Sequence, residues 1–140
     1  MLKKMAYGFV FLLVLVGISP LFVYWWALSN LDQLPQPSSI KLSAERELVI
    51  WQKEKQTGEP RIESITVYGF VFCLMNQPQC VDRYSGLRLA SFAVRNQVAA
   101  GVQGKGTWIW HTTWAAYSIW AANNWDIHQI LATYDEAYNR

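Results

Sequence analysis

The fold of this chain depends first on residues 5–28, which read MAYGFVFLLVLVGISPLFVYWWAL and contain no charged residue. A bilayer core of about 30 Å is crossed by roughly 20 apolar residues of α-helix, so this stretch is long enough to span a membrane. Trp25 and Trp26 lie near its end, where aromatic side chains settle among lipid headgroups. We therefore predict a retained single-pass anchor over residues 5–28, with Trp25 and Trp26 as its interfacial residues.

The charges before the anchor predict its orientation. Lys3 and Lys4 precede the apolar stretch, and lysines favour the cytoplasmic side. We expect residues 1–4 in the cytoplasm and the C-terminal domain in the periplasm, at the cytoplasmic (inner) membrane of a bacterium. The alternative is a cleaved signal peptide, because residues 27–29 loosely fit a small-x-small cleavage pattern. Against it, the apolar stretch is longer than the roughly 7–15 residues of a signal-peptide core.

The balance of charge restricts the expected partners. The net charge is +2, and the two lysines at the N-terminus account for it. Proteins that bind nucleic acid carry a clustered basic face, and this sequence has none, so we expect no nucleic acid. His111 and His128 are far apart and no Cys-x-x-Cys occurs, so we expect no metal site and no cofactor. Membrane lipid and envelope components are the expected partners.

Two cysteines, Cys73 and Cys80, stand close together in the sequence. Outside the cytoplasm, an even number of cysteines at short spacing predicts a disulfide. The alternative is a pair of small buried thiols, because residues 70–75 are already apolar.

A small, mainly α-helical extracytoplasmic domain is predicted to follow the anchor. Residues 29–42 contain two prolines and predict a stiff stem that lifts the domain off the membrane. The domain then covers residues 43–140. Ser43 is a suitable N-cap for a first helix that runs to about Lys55.

The later helices are predicted from periodicity and caps. Residues 62–76 favour a helix weakly, because β-branched and aromatic residues also suit a strand. Further helices are predicted over residues 87–100 and 107–124, and the second is apolar on most sides, which is typical of a buried helix. Asp126 and Gln129 form a capping-box pattern that begins the last helix.

Two stretches of the second half carry a family resemblance. Residues 85–96 are similar to a Gly-Gly-Ser-Thr-Ile-Thr-Gln-Gln motif that continues with aliphatic residues and Arg-Asn. Residues 125–134 are similar to a Tyr-Ser-Lys-Asp-Glu-Ile-Leu-Glu-Leu-Tyr motif. The matching residues are Gly86, Arg95, Asn96, Ile130, Leu131 and Tyr134. In order and spacing the second half thus resembles the family 51 peptidoglycan glycosyltransferases, periplasmic enzymes that polymerise lipid II.

The resemblance implies one N-terminal membrane helix followed by a helical domain, with a lipid-linked peptidoglycan precursor as the ligand of this domain. This sequence differs from the family at the positions of its catalytic residues. The family works through two glutamates and a set of basic residues. The position of its second glutamate is Trp114, and that of its Arg-Lys pair is Trp110-His111. The Glu-Asp-x-x-Phe-x-x-His motif of the first glutamate is missing. We therefore assign no catalytic residue and expect a degenerate, binding domain.

The candidate ligand-binding residues follow from the same alignment. Arg88, Arg95 and His111 would face a pyrophosphate, and Trp110 and Trp114 would lie against the lipid or sugar. The alternative is that the tryptophans are core residues and that His111 is a hydrogen-bonded core histidine. Two other functions stay open: a non-enzymatic envelope subunit that packs against a partner membrane or secretion protein, and an active glycosyltransferase.

Overall fold

The computed structural model of the chain describes residues 2–76 and 83–139. Throughout these two ranges the secondary structure is α-helical, without strands. The helices are α1 (Leu2–Leu28), α2 (Ala44–Lys53), α3 (Val67–Met75), α4 (Leu87–Gly101), α5 (Thr107–Asn124) and α6 (Ile127–Tyr138). The predicted mainly α fold is confirmed.

Two helix starts follow from side chains that the sequence already marks as caps. The Ser43 hydroxyl accepts a hydrogen bond from the Arg46 N–H at 3.2 Å and begins α2. Asp126 and Gln129 form a complete capping box at the start of α6, in which each side chain accepts from the other residue's backbone N–H. These bonds satisfy N–H groups that a helix leaves without partners in its first turn.

The ambiguous stretch of residues 62–76 is helical only from Val67, where α3 begins. Thr66 accepts from the Gly69 N–H at 3.0 Å and caps this helix, so the strand alternative is wrong. Cys73 lies on α3 and is buried. Its predicted partner Cys80 lies outside the described residues, so the disulfide stays a prediction.

The core of the domain is an antiparallel hairpin of α4 and α5, with α6 against α4 and α2 against α6. The turn between α4 and α5 contains Gly104 and Gly106, both with positive φ, a conformation that glycine adopts without steric cost. The largest side chains with at most 1% exposure in this core are Trp51, Tyr117, Ile50, Leu87, Leu89, Ile130, Leu131, Val94 and Val98.

The one helix of the described residues that is long and apolar enough to cross a membrane is α1, over Tyr7–Leu28, with a mean hydropathy of 2.2. Trp25 and Trp26 are exposed near its end. Pro20 has no N–H to offer the Val16 carbonyl, and the Ser19 hydroxyl bonds this carbonyl instead at 2.8 Å. A neighbouring hydroxyl of this kind is how membrane helices tolerate proline.

The second half of α1 is part of the folded domain, since it contacts both α3 and α5. Ala27 is fully buried. The Tyr117 hydroxyl donates to the Leu28 carbonyl at 2.7 Å, and the Tyr68 hydroxyl donates to the Gly17 carbonyl at 2.8 Å. The helix that we predicted as an anchor is therefore also a packing element.

The segment of residues 29–42, predicted as a stem, has no regular secondary structure and lies along the domain. Gln36 and Gln97 of α4 exchange two hydrogen bonds, at 2.8 and 2.9 Å. The Ser38 N–H donates to the Thr133 hydroxyl of α6 at 2.8 Å. These bonds hold the segment against α4 and α6 instead of lifting the domain away from α1.

Candidate functional site

Most of the predicted ligand-binding residues lie together on the α4–α5 hairpin. The guanidinium carbon of Arg95 lies 6.0 Å from the ring centroids of both Trp110 and Trp114. These two rings are 5.1 Å apart, and the ring of His111 is 4.6 Å from that of Trp110. We call Arg95, Trp110, His111 and Trp114 the tryptophan–arginine cluster.

The cluster has a simple local origin. Trp110 and Trp114 are four residues apart on α5, a spacing that places side chains next to each other on one helix face. Arg95 comes from α4, the antiparallel neighbour, and its cation lies within the distance at which an indole face attracts it. The two rings thereby restrict the guanidinium without a carboxylate, and none of the ion pairs among the described residues involves Arg95.

Exposure differs within the cluster. Trp114 is half-buried, and its indole N–H donates to the Ser91 carbonyl of α4 at 2.8 Å. Trp110 is also half-buried, whereas Arg95 and His111 are exposed. The alternative of a buried core histidine therefore does not hold for His111. Trp114 is therefore the residue of the cluster that is attached to α4, and the side chains of Arg95 and His111 face solvent.

The cluster lies close to the end of α1. Thr113, on the same turn of α5, accepts from the Asn30 side chain at 3.0 Å. Asn30 lies two residues after the end of α1, and Lys105 donates to its carbonyl at 2.9 Å. If α1 crosses a bilayer up to Leu28, these contacts place the cluster beside the lipid headgroups. Trp108 lies one turn before His111 on α5 and is 72% exposed, as expected of an interfacial aromatic residue.

Arg88 does not join the cluster, although it lies two turns from Arg95 on α4. Its Nε is 3.6 Å from a carboxylate oxygen of Glu54, and its guanidinium lies 5.8 Å from the Phe92 ring centroid. It lines a polar cleft of about 420 Å³ at the start of α4, which is also lined by Lys55, Arg61 and Arg83. Sequence reasoning missed this basic cleft, because its cations come from separate segments with no local pattern.

Two carboxylates, one on α2 and one directly after it, connect helices of the domain. Glu47 is only 8% exposed and accepts from His128 Nδ1 at 2.8 Å, and this hydrogen bond raises the pKa of His128. Glu54 accepts from the Tyr134 hydroxyl at 2.6 Å. Burial, followed by this hydrogen bond, raises the pKa of Tyr134. The tyrosine of the family motif is thus a link between α6 and α2.

Within the described ranges, no three His, Cys, Asp or Glu side chains come together as metal ligands would. Comparison with protein-family models, with curated proteins and with solved structures finds no match to this chain. The resemblance to the family 51 glycosyltransferases therefore depends on the motif residues alone.

Proposed function

We propose that this protein is a membrane-anchored binding protein for lipid-linked cell-wall intermediates, with a degenerate glycosyltransferase-like domain on the periplasmic side of the bacterial cytoplasmic membrane. The observation that supports it is the tryptophan–arginine cluster: an exposed guanidinium that lies 6.0 Å from each of two neighbouring indole rings, next to the end of the membrane helix. Lipid-linked intermediates carry a pyrophosphate at this depth.

Each part of the cluster has a chemical role in this proposal. The planar fork of Arg95 matches two phosphate oxygens at once, and such charge-assisted pairs are the stronger hydrogen bonds in proteins. Trp110 and Trp114 hold the guanidinium, so less conformational entropy is lost when the anion binds. The exposed His111 ring adds a second donor at the rim, and the exposed face of Trp110 suits a sugar ring.

Binding without polymerisation fits the residue at the position of the motif glutamate. Trp114 fills this position with an indole that donates to a backbone carbonyl of α4, so it provides packing where the family has a general base or its partner. An active glycosyltransferase would need replacements for both glutamates. We therefore expect no glycan polymer when the wild-type protein is incubated with lipid II, and detection of polymer would overturn the non-enzymatic proposal.

The binding experiment uses the full chain in nanodiscs with lipid II or with phosphatidylglycerol alone. We expect saturable binding of lipid II, and a loss of about tenfold or more in affinity for Arg95→Ala, since a charged hydrogen bond contributes about 1.5–3 kcal/mol. Trp110→Ala should weaken binding as well. Arg61→Ala is the control, because this arginine is 71% exposed and pairs with Glu63 away from the cluster.

Two results would contradict the proposal. Absence of saturable lipid II binding would remove it, and a stable complex with another envelope protein in mild detergent would then favour a non-enzymatic subunit. An equal loss for Arg61→Ala and Arg95→Ala would mean that the affinity depends on overall positive charge and not on the cluster.

A further inference from the structure

The apolar helix α3 is covered by the protein on one side only. It contains no charged residue, and Cys73 is its one buried residue. Four of its large side chains are exposed by 47–78%, namely Tyr68, Phe72, Leu74 and Met75. A continuous apolar surface of this kind is unusual on a protein face in water and marks an interaction surface.

The position of α3 beside α1 indicates the environment of this surface. Its Tyr68 hydroxyl bonds the Gly17 carbonyl of α1 at 2.8 Å. Beside this bond, α1, α3 and α5 enclose an apolar groove of about 320 Å³, with Pro20, Val23, Phe70, Leu74 and Ile119 among its lining residues. The apolar surface of α3 is therefore continuous with the surface of the candidate membrane helix.

The contact with Gly17 gives the depth. At about 1.5 Å per residue, Gly17 lies about 16 Å along α1 from Leu28, and half of a hydrocarbon core is about 15 Å. A span that ended before Gly17 would leave only the stretch from Tyr7 to Val16, which is too short to cross a bilayer. A membrane that contains α1 must therefore also surround the side of α1 that α3 contacts.

The polar groups of α3 are arranged as a lipid environment requires. In hydrocarbon, each backbone N–H and C=O without a partner costs several kcal/mol. Thr66 caps the first turn, and the Asn76 side chain donates to the Phe72 carbonyl at 2.9 Å in the last turn. The hydroxyl of Tyr68 is itself satisfied by α1. A side chain thus supplies one hydrogen bond at each end of the helix.

We propose that α3 inserts beside α1 into the leaflet nearest the domain, so that Phe72, Leu74 and Met75 contact lipid acyl chains. The domain is then partly immersed in the bilayer and not only tethered to it. This inference concerns the depth of the domain and holds whether or not the tryptophan–arginine cluster binds a ligand.

The test uses the wild-type chain in nanodiscs and amide NMR signals with two paramagnetic probes. Lipids with a doxyl group in the middle of the acyl chain should broaden the amides of α3, whereas a water-soluble gadolinium chelate should leave them sharp. The control is α2, whose Leu48 and Val49 are also apolar and are 42% and 49% exposed. Its amides should show the opposite pattern.

Each other outcome overturns the proposal. Broadening of the α3 amides by the gadolinium chelate would place the helix in water. Protection from both probes would mean that a protein surface, either a second copy of the chain or a partner, covers α3 instead of lipid. Lipid II binding is measured separately, so failure of that binding leaves this result unchanged.

Discussion

α3 and α5 are both apolar helices without a charged residue, and both contact α1, yet they differ in what surrounds them. α5 lies between α4 and α1 and buries seven of its residues, whereas α3 buries one. Apolar composition therefore indicates that a helix leaves water, but it does not decide between protein and lipid. The neighbouring elements decide it.

The two helices also use the same bond to α1 at two depths. Tyr117 of α5 donates to the Leu28 carbonyl at the end of α1, and Tyr68 of α3 donates to the Gly17 carbonyl near its middle. If the comparison is correct, the first bond lies in a protein core and the second at a lipid-facing seam. Substitutions in the two helices should then have different consequences.

The largest difference is expected for truncation of a large ring. Trp114→Ala should lower the free energy of unfolding by about 3 kcal/mol, the low end for loss of a large ring, because the indole is half-buried against α4. Phe72→Ala should cost less than about 1 kcal/mol in detergent, because the ring is 61% exposed and little protein packing is lost. Urea unfolding followed by far-ultraviolet circular dichroism measures both. A cost for Phe72→Ala as large as that for Trp114→Ala would contradict the difference between the helices.

A charge on α3 should have a smaller effect, seen in lipid. Phe72→Lys should lower stability in nanodiscs by about 2–3 kcal/mol, since a lysine inside a membrane costs about this much. Leu48→Lys on α2, also at an exposed apolar position, should change it by less than about 0.5 kcal/mol. Thermal unfolding of the two variants in the same nanodiscs makes the comparison. Equal stabilities would mean that α3 is surrounded by water.

Removal of each tyrosine hydroxyl tests the attachment to α1. Tyr117→Phe should cost about 1 kcal/mol, the usual net value of a protein hydrogen bond. Tyr68→Phe should cost about 0.6 kcal/mol, as for hydrogen bonds between membrane helices. Hydrogen exchange should then increase in α5 for the first variant and in α3 for the second. Faster exchange in both helices for either variant would show that they open as one unit.

The parts of the structure that depend on neighbouring residues could be predicted from the sequence. The cap of α2 at Ser43 and the capping box of α6 need only residues within one turn, and both predictions are confirmed. The convergence of Trp110 and Trp114 follows from their spacing on one helix. Arg95 was assigned through the family alignment, because no local pattern tells which residue of α4 faces α5.

Contacts between residues that are far apart in the sequence could not be predicted from local sequence patterns. The bond from Tyr68 to Gly17 joins an ambiguous stretch to the middle of the anchor, and neither sequence neighbourhood predicts it. Likewise, the prolines of residues 29–42 suggest a spacer. The hydrogen bonds between Gln36 and Gln97 instead hold this segment along α4. Arg88 and Arg95 share a face of α4, but Glu54 holds the first of them in a different cleft.

The smallest expected effect concerns pH. Among the described residues, no ion pair involves α3 or α5, so we expect a pH dependence near neutrality from the far side of the domain, where His128 of α6 lies 2.8 Å from Glu47 of α2. The hydrogen bond to Glu47, and then the attraction of its charge, raise the pKa of His128 above the value of about 6.5 in the unfolded chain. A raised pKa in the folded state means that the stabilisation is complete below about pH 6.5 and is lost as the pH rises through the folded value. The His128 side chain is 71% exposed, so solvent screening limits the contribution to about 0.5 kcal/mol.

Urea midpoints at pH 6 and pH 9 should therefore differ more for the wild type than for His128→Gln, which keeps an N–H donor for Glu47 without the charge. An identical pH dependence in the two proteins would show that the pair contributes nothing through its charge, and that the titrating groups lie elsewhere.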